Sequence, residues 1–261
     1  MLYDSEVAKY STETSGTSRY RDSDDKSYQY SVDFFENYLS MIGDKKVAFV
    51  ISIRDVDFDT TTSGYQTTVG DTEGSEIIPA HEITQTRMNN IINKTVSKSV
   101  NIINNIKAAL SNVNEDRTDK LKMPDIYIGT PHTNTNNDWI AEWIRQGSGD
   151  NIESVFLEKY QYVAESIYNN AANLVGEGTI TGMYFGRENP DDMYNTYNQP
   201  TVSYKNASNI SDFIHSKGKK LLWIPFSTSA QEWENVGLYV NQGKSCNNDS
   251  SDLFDIVMMQ P

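Results

Sequence analysis

Three carboxylates in this sequence lie where they could act as a catalytic pair. Glu188 follows the apolar segment 180–185, and Asp55 and Asp57 follow the apolar segment 47–53. Two carboxyl groups that flank a glycosidic bond can cleave it when they lie about 5 to 5.5 Å apart for retention of configuration, or about 6.5 to 9.5 Å apart for inversion. We therefore predict Glu188 as the first catalytic candidate, with Asp55 or Asp57 as its partner.

The residues around Glu188 favour this interpretation. Tyr184 and Phe185 precede it closely, and Trp223 lies in a neighbouring apolar segment. Apolar neighbours would favour the protonated form of the Glu188 carboxyl, which an acid catalyst requires. The alternative is that Glu188 only begins a solvated loop, with Arg187 as a surface neighbour.

Substrate-binding candidates are the aromatic and polar residues in or directly after the apolar segments. Aromatic side chains provide flat surfaces for sugar rings, and polar groups can hydrogen-bond to hydroxyls. We predict this role for Tyr184, Arg187, Trp223, His132 and Gln260. The alternative for His132 is an ordinary loop histidine.

Metal and cofactor motifs are not found in the sequence. Asp55, Asp57 and Asp59 alternate as in a calcium loop, but the glycine and terminal glutamate of that loop are missing. The three histidines are not spaced as zinc ligands, and neither a G-x-G-x-x-G nor a G-x-S-x-G motif occurs. We therefore predict no metal and no cofactor.

The apolar segments alternate with helical patterns along the chain. Apolar runs without alternation predict buried parallel strands, and these are 47–53, 125–131, 180–185, 221–226 and 253–259. Helical spacing or helix-ending glycines predict helices at 31–42, 84–113, 138–146, 156–175, 208–217 and 230–236.

This alternation predicts an α/β fold with a parallel sheet and right-handed crossovers. A barrel and a doubly wound sheet both satisfy the pattern. Because no glycine-rich phosphate loop follows any strand, we favour a (β/α) barrel of the TIM type. Catalytic groups of such barrels lie where the strands end, which is where the candidate residues stand.

Domain organisation follows from the same pattern. Residues 1–30 are polar and lack periodicity, and they predict a poorly ordered lead-in. Residues 31–261 form one barrel domain. Only five strands are predicted before the sequence stops after the last of them, so we expect the barrel to be truncated at its C-terminus.

The charge balance restricts the classes of partner. A formal charge of −14 and a pI near 4.6 disfavour nucleic acid, whose phosphates would be repelled. No apolar run is long enough to predict membrane insertion. A single cysteine, Cys246, excludes an internal disulfide and leaves the compartment open.

Four short motifs resemble a family of glycoside-hydrolase-like TIM-barrel proteins, mainly bacterial, that carry only domain-of-unknown-function labels. The motifs are GMYFGRE at 182–188, LWIPF at 222–226, FDIVMMQP at 254–261 and, more loosely, YIGTP at 127–131. The resemblance covers about residues 84–261. It implies a barrel with a glutamate, here Glu188, at its mouth.

Two function hypotheses follow. In the first, the chain is a glycoside-hydrolase-like protein that acts on a carbohydrate through carboxylate acid/base chemistry. In the second, it is a carbohydrate-binding or structural barrel module without catalysis. Either version is expected in an extracellular or cell-surface protein, with an oligosaccharide or polysaccharide as its partner.

Overall fold

The computed structural model describes residues 2–4, 30–53, 57–61, 64–67, 85–134, 152–188, 202–226, 236 and 253–258. Four α-helices have both ends in these ranges: α1 Val32–Ile42, α2 Gln85–Glu115, α3 Ile152–Val175 and α4 Val202–Ser216. A short 3-10 helix, Glu177–Thr179, follows α3. Nine strands lie in the same ranges: β1 Leu2–Asp4, β2 Ala48–Ile53, β3 Asp57–Thr61, β4 Gly64–Thr67, β5 Asp125–Gly129, β6 His132–Asn134, β7 Gly182–Phe185, β8 Lys220–Trp223 and β9 Ile256–Val257.

The main sheet contains six parallel strands in the order β1-β2-β5-β7-β8-β9. Each strand therefore pairs with the main-sheet strand that follows it along the chain. A doubly wound sheet would instead reverse its order at a switch point. The α/β fold with a parallel sheet is thus confirmed, and within the described ranges this sheet stays open and does not close into a barrel.

The two faces of the main sheet differ in what covers them. One face, here called the helix face, packs its strand residues, such as Ile51, Ile128 and Phe185, in one cluster with residues from all four described helices. Strand residues alternate between faces. The opposite face, here called the inner face, carries a separate cluster that contains no residue of those helices. Its members are Val50, Tyr127, Tyr184, Leu222 and Ile224, with Ile256 packed against them.

A second, smaller sheet has the order β4-β3-β6. Strands β3 and β4 pair antiparallel, and β3 and β6 pair parallel. Residues 54–56 link β2 to β3, and residues 130–131 link β5 to β6, so β3 and β6 follow the carboxyl ends of β2 and β5. The sequence predicted only loops here, because β3 and β6 are polar and lack an apolar run.

The helix ends follow local chemistry. The Ser31 side chain accepts a hydrogen bond from Phe34 N–H at 3.2 Å and caps α1. Gly43, with φ of 64°, ends the same helix, because this left-handed backbone suits a residue without a side chain. Gly176 and Gly218 also have positive φ after α3 and α4.

Several boundaries differ from the predicted ones. Helix α4 begins at Val202, before the predicted position 208, because its first turns are polar and give no apolar period. Within the lead-in, Leu2–Asp4 forms a strand that pairs with β2. The predicted helix at 138–146 lies outside the described residues. In the predicted helix at 230–236, only Val236 is described, and it is helical and buried.

Candidate functional site

Glu188 lies just beyond β7, at the carboxyl edge of the main sheet. The backbone of 186–188 is held there by neighbouring strands through three hydrogen bonds. These run from Gly186 N–H to Thr130 Oγ1 (3.0 Å), from Trp223 Nε1–H to the Arg187 carbonyl (2.6 Å) and from Phe226 N–H to the Glu188 carbonyl (2.8 Å). The sheet therefore fixes the position from which the Glu188 side chain extends.

The carboxyl group of Glu188 is oriented by Tyr184. The Tyr184 hydroxyl donates a hydrogen bond of 2.6 Å to Glu188 Oε1. Tyr184 belongs to the inner face and is 1% exposed, whereas Glu188 is partly exposed. A hydrogen bond to one carboxyl oxygen restricts the rotation of the group. Tyr184 therefore holds the Glu188 carboxyl at the carboxyl edge of the inner face.

Trp223 does not lie beside this carboxyl on the inner face. It is 0% exposed and belongs to the helix-face cluster together with Phe185. Its ring stacks on Phe254, with centroids 4.8 Å apart and an interplanar angle of 19°. The interpretation that Phe185 and Trp223 form an apolar environment for the Glu188 carboxyl is therefore wrong. We reassign Trp223 from substrate binding to the core, since no part of its ring is accessible to a ligand.

The backbones of Asp57 and His132 lie side by side. They are register partners in the β3–β6 ladder, where paired strands are about 4.8 Å apart. His132 follows β5 by three residues and Asp57 follows β2 by four, so both come after the carboxyl ends of main-sheet strands, as Glu188 does after β7. The side chains of Asp57 and His132, and the whole of Asp55 and Gln260, lie outside the described residues.

Tyr127 is an inner-face residue that the sequence analysis placed in a strand but did not single out for the site. It is 1% exposed, and burial, followed by the charges of Asp125 and Asp255, raises its pKa to about 12. Its phenol therefore stays protonated near neutral pH. Only its strand and the loose YIGTP motif marked this residue in the sequence, because an unbroken apolar run does not show which residues of a parallel strand face inward.

Each inner-face tyrosine of β5 and β7 has a glycine as its register partner on the other strand. Tyr127 is the register partner of Gly182, and Gly129 is the register partner of Tyr184. Gly182 has no room for a side chain, because a Cβ atom there would lie 1.9 Å from the Lys220 carbonyl oxygen. Each tyrosine of the inner face is thus paired with the smallest possible neighbour, and Gly182 also allows β7 and β8 to approach closely.

Other types of site are not found among the described residues. They contain no group of three or more His, Cys, Asp or Glu side chains that could hold a metal ion. No described helix combines the length and apolar character needed to cross a lipid bilayer.

Comparison of the chain with protein-family models, with curated proteins and with solved structures gives no match.

Proposed function

We propose that the chain is a carbohydrate-directed (β/α) barrel protein with glycoside-hydrolase-like carboxylate chemistry centred on Glu188. The observation that carries this proposal is the bond between the Tyr184 hydroxyl and Glu188 Oε1 at the carboxyl edge of the inner face. It provides an oriented carboxylate where barrel enzymes place their catalytic groups. The motif resemblance around GMYFGRE at 182–188 supports the same assignment.

The barrel part of the proposal is supported by the strand order and by the helix positions. Right-handed crossovers between consecutive neighbours place every helix on the same side of the sheet. The four described helices all pack on the helix face. The buried inner face, with Tyr127 and Tyr184, then corresponds to a barrel interior filled by side chains.

The hydrogen bond from Tyr184 favours one of the two carboxylate roles for Glu188. An acid catalyst must hold a proton before it protonates the leaving group, whereas a nucleophile or a base must be ionised. A nucleophile must attack from a fixed direction, and the bond from Tyr184 fixes the orientation of the Glu188 carboxyl. We assign Glu188 as the nucleophile, and Asp57 or Asp55 as the acid.

Substrate contacts are proposed at the same edge. Arg187, which directly precedes Glu188, and His132 provide polar groups for sugar hydroxyls, and Gln260, outside the described residues, stays a further candidate. The net charge of −14 suits a neutral polysaccharide better than an anionic one. An extracellular or cell-surface location would give access to such a substrate.

The test is hydrolysis of a panel of neutral polysaccharides and activated aryl glycosides by the wild type and by Glu188→Gln. We expect the variant to lose turnover by more than a thousandfold while it keeps its affinity for the same carbohydrate. Glu177→Gln, which alters an exposed glutamate in the turn after α3, is the matched control and should keep full activity. Full activity in Glu188→Gln would remove Glu188 from the mechanism.

Chemical rescue separates the roles of the two carboxylates. In Glu188→Ala, azide should restore turnover and yield a glycosyl azide whose anomeric configuration is opposite to that of the substrate, because azide replaces the nucleophile. An azide product that retains the configuration would instead make Glu188 the acid/base residue.

If the wild type binds carbohydrate but cleaves no member of the panel, the non-catalytic binding module is the correct function.

A further inference from the structure

Six large apolar side chains are exposed in the described part of the chain, and they fall into two groups. Four lie on the helices α1 and α3, where exposed apolar residues are ordinary at a protein surface. The other two follow the strands β8 and β9, at the carboxyl edge of the main sheet that also carries Glu188. The helical group is Phe34, Met41, Tyr162 and Leu174, and the group at the carboxyl edge is Phe226 and Met258.

Phe226 is fixed beside Glu188 by the backbone. Its N–H donates a hydrogen bond of 2.8 Å to the Glu188 carbonyl. Ile224, two residues earlier, is 9% exposed and belongs to the inner-face cluster, and Pro225 is buried. At Phe226 the exposed fraction rises to 49%. The chain therefore leaves the packed interior at Phe226, one hydrogen bond away from the backbone of the candidate nucleophile.

The position of Phe226 is restricted before any ligand binds. Proline has a fixed φ of about −65°, and the residue before a proline is confined to extended conformations. Pro225 therefore stiffens the chain that leads to Phe226, and the hydrogen bond to Glu188 anchors the next residue. A binding surface that is already ordered loses little conformational entropy when a ligand arrives.

The surroundings of Phe226 suit a ligand that is apolar on one face and polar at its rim. A phenyl ring offers a flat apolar surface without hydrogen-bonding groups. Arg187 and Glu188, both partly exposed, provide polar groups on the adjoining segment. A pyranose ring matches both features, because its C–H bonds form an apolar face and its hydroxyl groups project from the rim.

A protein partner suits this surface less well. A stable protein interface covers about 800 Å² on each partner. Among the described residues, only two large apolar side chains are exposed at this edge, and they follow neighbouring strands in the order β7-β8-β9. Such a narrow apolar surface matches a sugar ring better than the face of a protein.

The exposed aromatic residue of the LWIPF motif is Phe226 and not Trp223. Both belong to the segment 222–226. Trp223 is enclosed in the helix-face core, where no ligand reaches its ring, whereas Phe226 is half-exposed three residues later. The aromatic surface that the sequence predicted for this segment is therefore available, but on a different residue.

We propose that Phe226 is the stacking platform of a sugar subsite beside Glu188. This subsite rests on the proposed function and defines its substrate more closely. It takes a pyranose ring of a neutral glycan, with the C–H face on Phe226 and the hydroxyl groups toward Arg187 and Glu188. Met258, at the end of β9, lies on the side of β8 away from Glu188 and extends the apolar surface.

Calorimetric titration of Glu188→Gln with cellohexaose, xylohexaose and mannohexaose tests the platform, because this variant should bind without cleaving. When Phe226→Ala is added, we expect the Kd for the bound hexasaccharide to rise about five- to tenfold, as the loss of one ring contact predicts. Phe226→Tyr keeps a ring, so its Kd should stay within about twofold of the parent. Phe34→Ala removes a ring on α1 that is 41% exposed, and this matched control should leave the Kd unchanged.

Two further measurements separate contact with the substrate from a structural effect. With Glu188 intact, Phe226→Ala should raise KM about five- to tenfold with little change in kcat, because a platform binds substrate and transition state alike. In proton NMR, the ring current of Phe226 should shift C–H protons of the bound sugar upfield. The shift should disappear in Phe226→Leu, which keeps an apolar side chain without a ring.

The outcomes distinguish the platform from the proposed function. An unchanged Kd in Phe226→Ala, with binding by Glu188→Gln intact, would overturn the platform and leave the proposed function standing. If the wild type neither binds nor cleaves any of the three hexasaccharides, the carbohydrate-directed function fails and the subsite fails with it. If Phe226→Ala does not fold, the upfield shift in Glu188→Gln decides, and its absence rules the platform out.

Discussion

The hydroxyl of Tyr184 lies 2.6 Å from Oε1 of Glu188, with both side chains on the same side of the chain at the carboxyl end of β7. Residues 184 and 188 are four apart in the chain, and their side chains converge at this bond. Tyr184 is buried, and its hydroxyl orients the carboxyl group. Because other hydrogen bonds hold the backbone of 186–188, removing this donor should change the orientation of the carboxyl more than the position of the backbone.

Tyr184→Phe should reduce kcat about tenfold or more, because a hydrogen bond to a charged group contributes about 1.5 to 3 kcal/mol. Without the phenol donor the carboxyl loses its fixed orientation, so kcat should fall with little change in KM. Tyr162→Phe, which alters a half-exposed tyrosine on α3, should leave kcat unchanged. The measurement is kcat and KM of each variant on an activated aryl glycoside, and a wild-type kcat in Tyr184→Phe contradicts the prediction.

Gly182→Ala should destabilise the fold by about 2 kcal/mol or more, because the new Cβ would lie 1.9 Å from the Lys220 carbonyl oxygen and force β7 away from β8. Gly178→Ala is the matched control, since nothing lies within 4 Å of its Cβ. Urea unfolding gives both values. Equal stability of the two variants would show that β7 and β8 are not so closely spaced.

Tyr127 should resist ionisation in alkaline solution. Its pKa is raised from 10.0 to about 12 in the folded protein, so the folded state binds the phenolic proton more tightly than the unfolded state does. Its contribution to stability is full below about pH 10 and is lost as the pH rises toward 12. Tyr127→Phe should lose less unfolding free energy than the wild type over this range. Tyr162→Phe serves again as the exposed control, and the measurement is urea unfolding at a series of alkaline pH values.

Trp223→Phe should lower the free energy of unfolding by about 2 to 3 kcal/mol, since it removes buried volume and the bond from Nε1–H to the Arg187 carbonyl. Phe226→Ala, at a half-exposed position three residues later, should cost less. The core assignment of Trp223 also requires that its substitution leave carbohydrate affinity, measured by calorimetry, largely intact. A large loss of affinity without a loss of stability would return Trp223 to the binding site.

The sequence predicted the strands of the main sheet other than β1, and the helices that cover it, because their signals are local. Apolar runs such as 47–53 and capping residues such as Ser31 and Gly43 act within one or two turns of chain. It did not predict β3 and β6, which are polar and exist through pairing with each other across a long chain separation. Local patterns contain no information on such a pairing.

Only those parts of the candidate site that depend on local patterns could be predicted from the sequence. The position of Glu188 after an apolar strand was visible, and the structure places it at the predicted edge. The sequence did not show which face of the sheet Trp223 occupies, because that face depends on the register that pairs Phe185 with Trp223. The hydrogen bond between Phe226 and Glu188 joins the segments that follow β8 and β7, and no spacing rule connects two such residues.

The two inner-face glycines limit how closely packed strands can change. A Cβ at Gly129 would lie 3.2 Å from the Ile51 carbonyl oxygen on β2, and a Cβ at Gly182 would lie 1.9 Å from the Lys220 carbonyl oxygen on β8. Gly182 stands two residues before Tyr184, whose hydroxyl binds Glu188. A substitution that widens the gap between β7 and β8 would therefore also displace the tyrosine that anchors the carboxylate, and strand spacing and carboxylate geometry are inherited together.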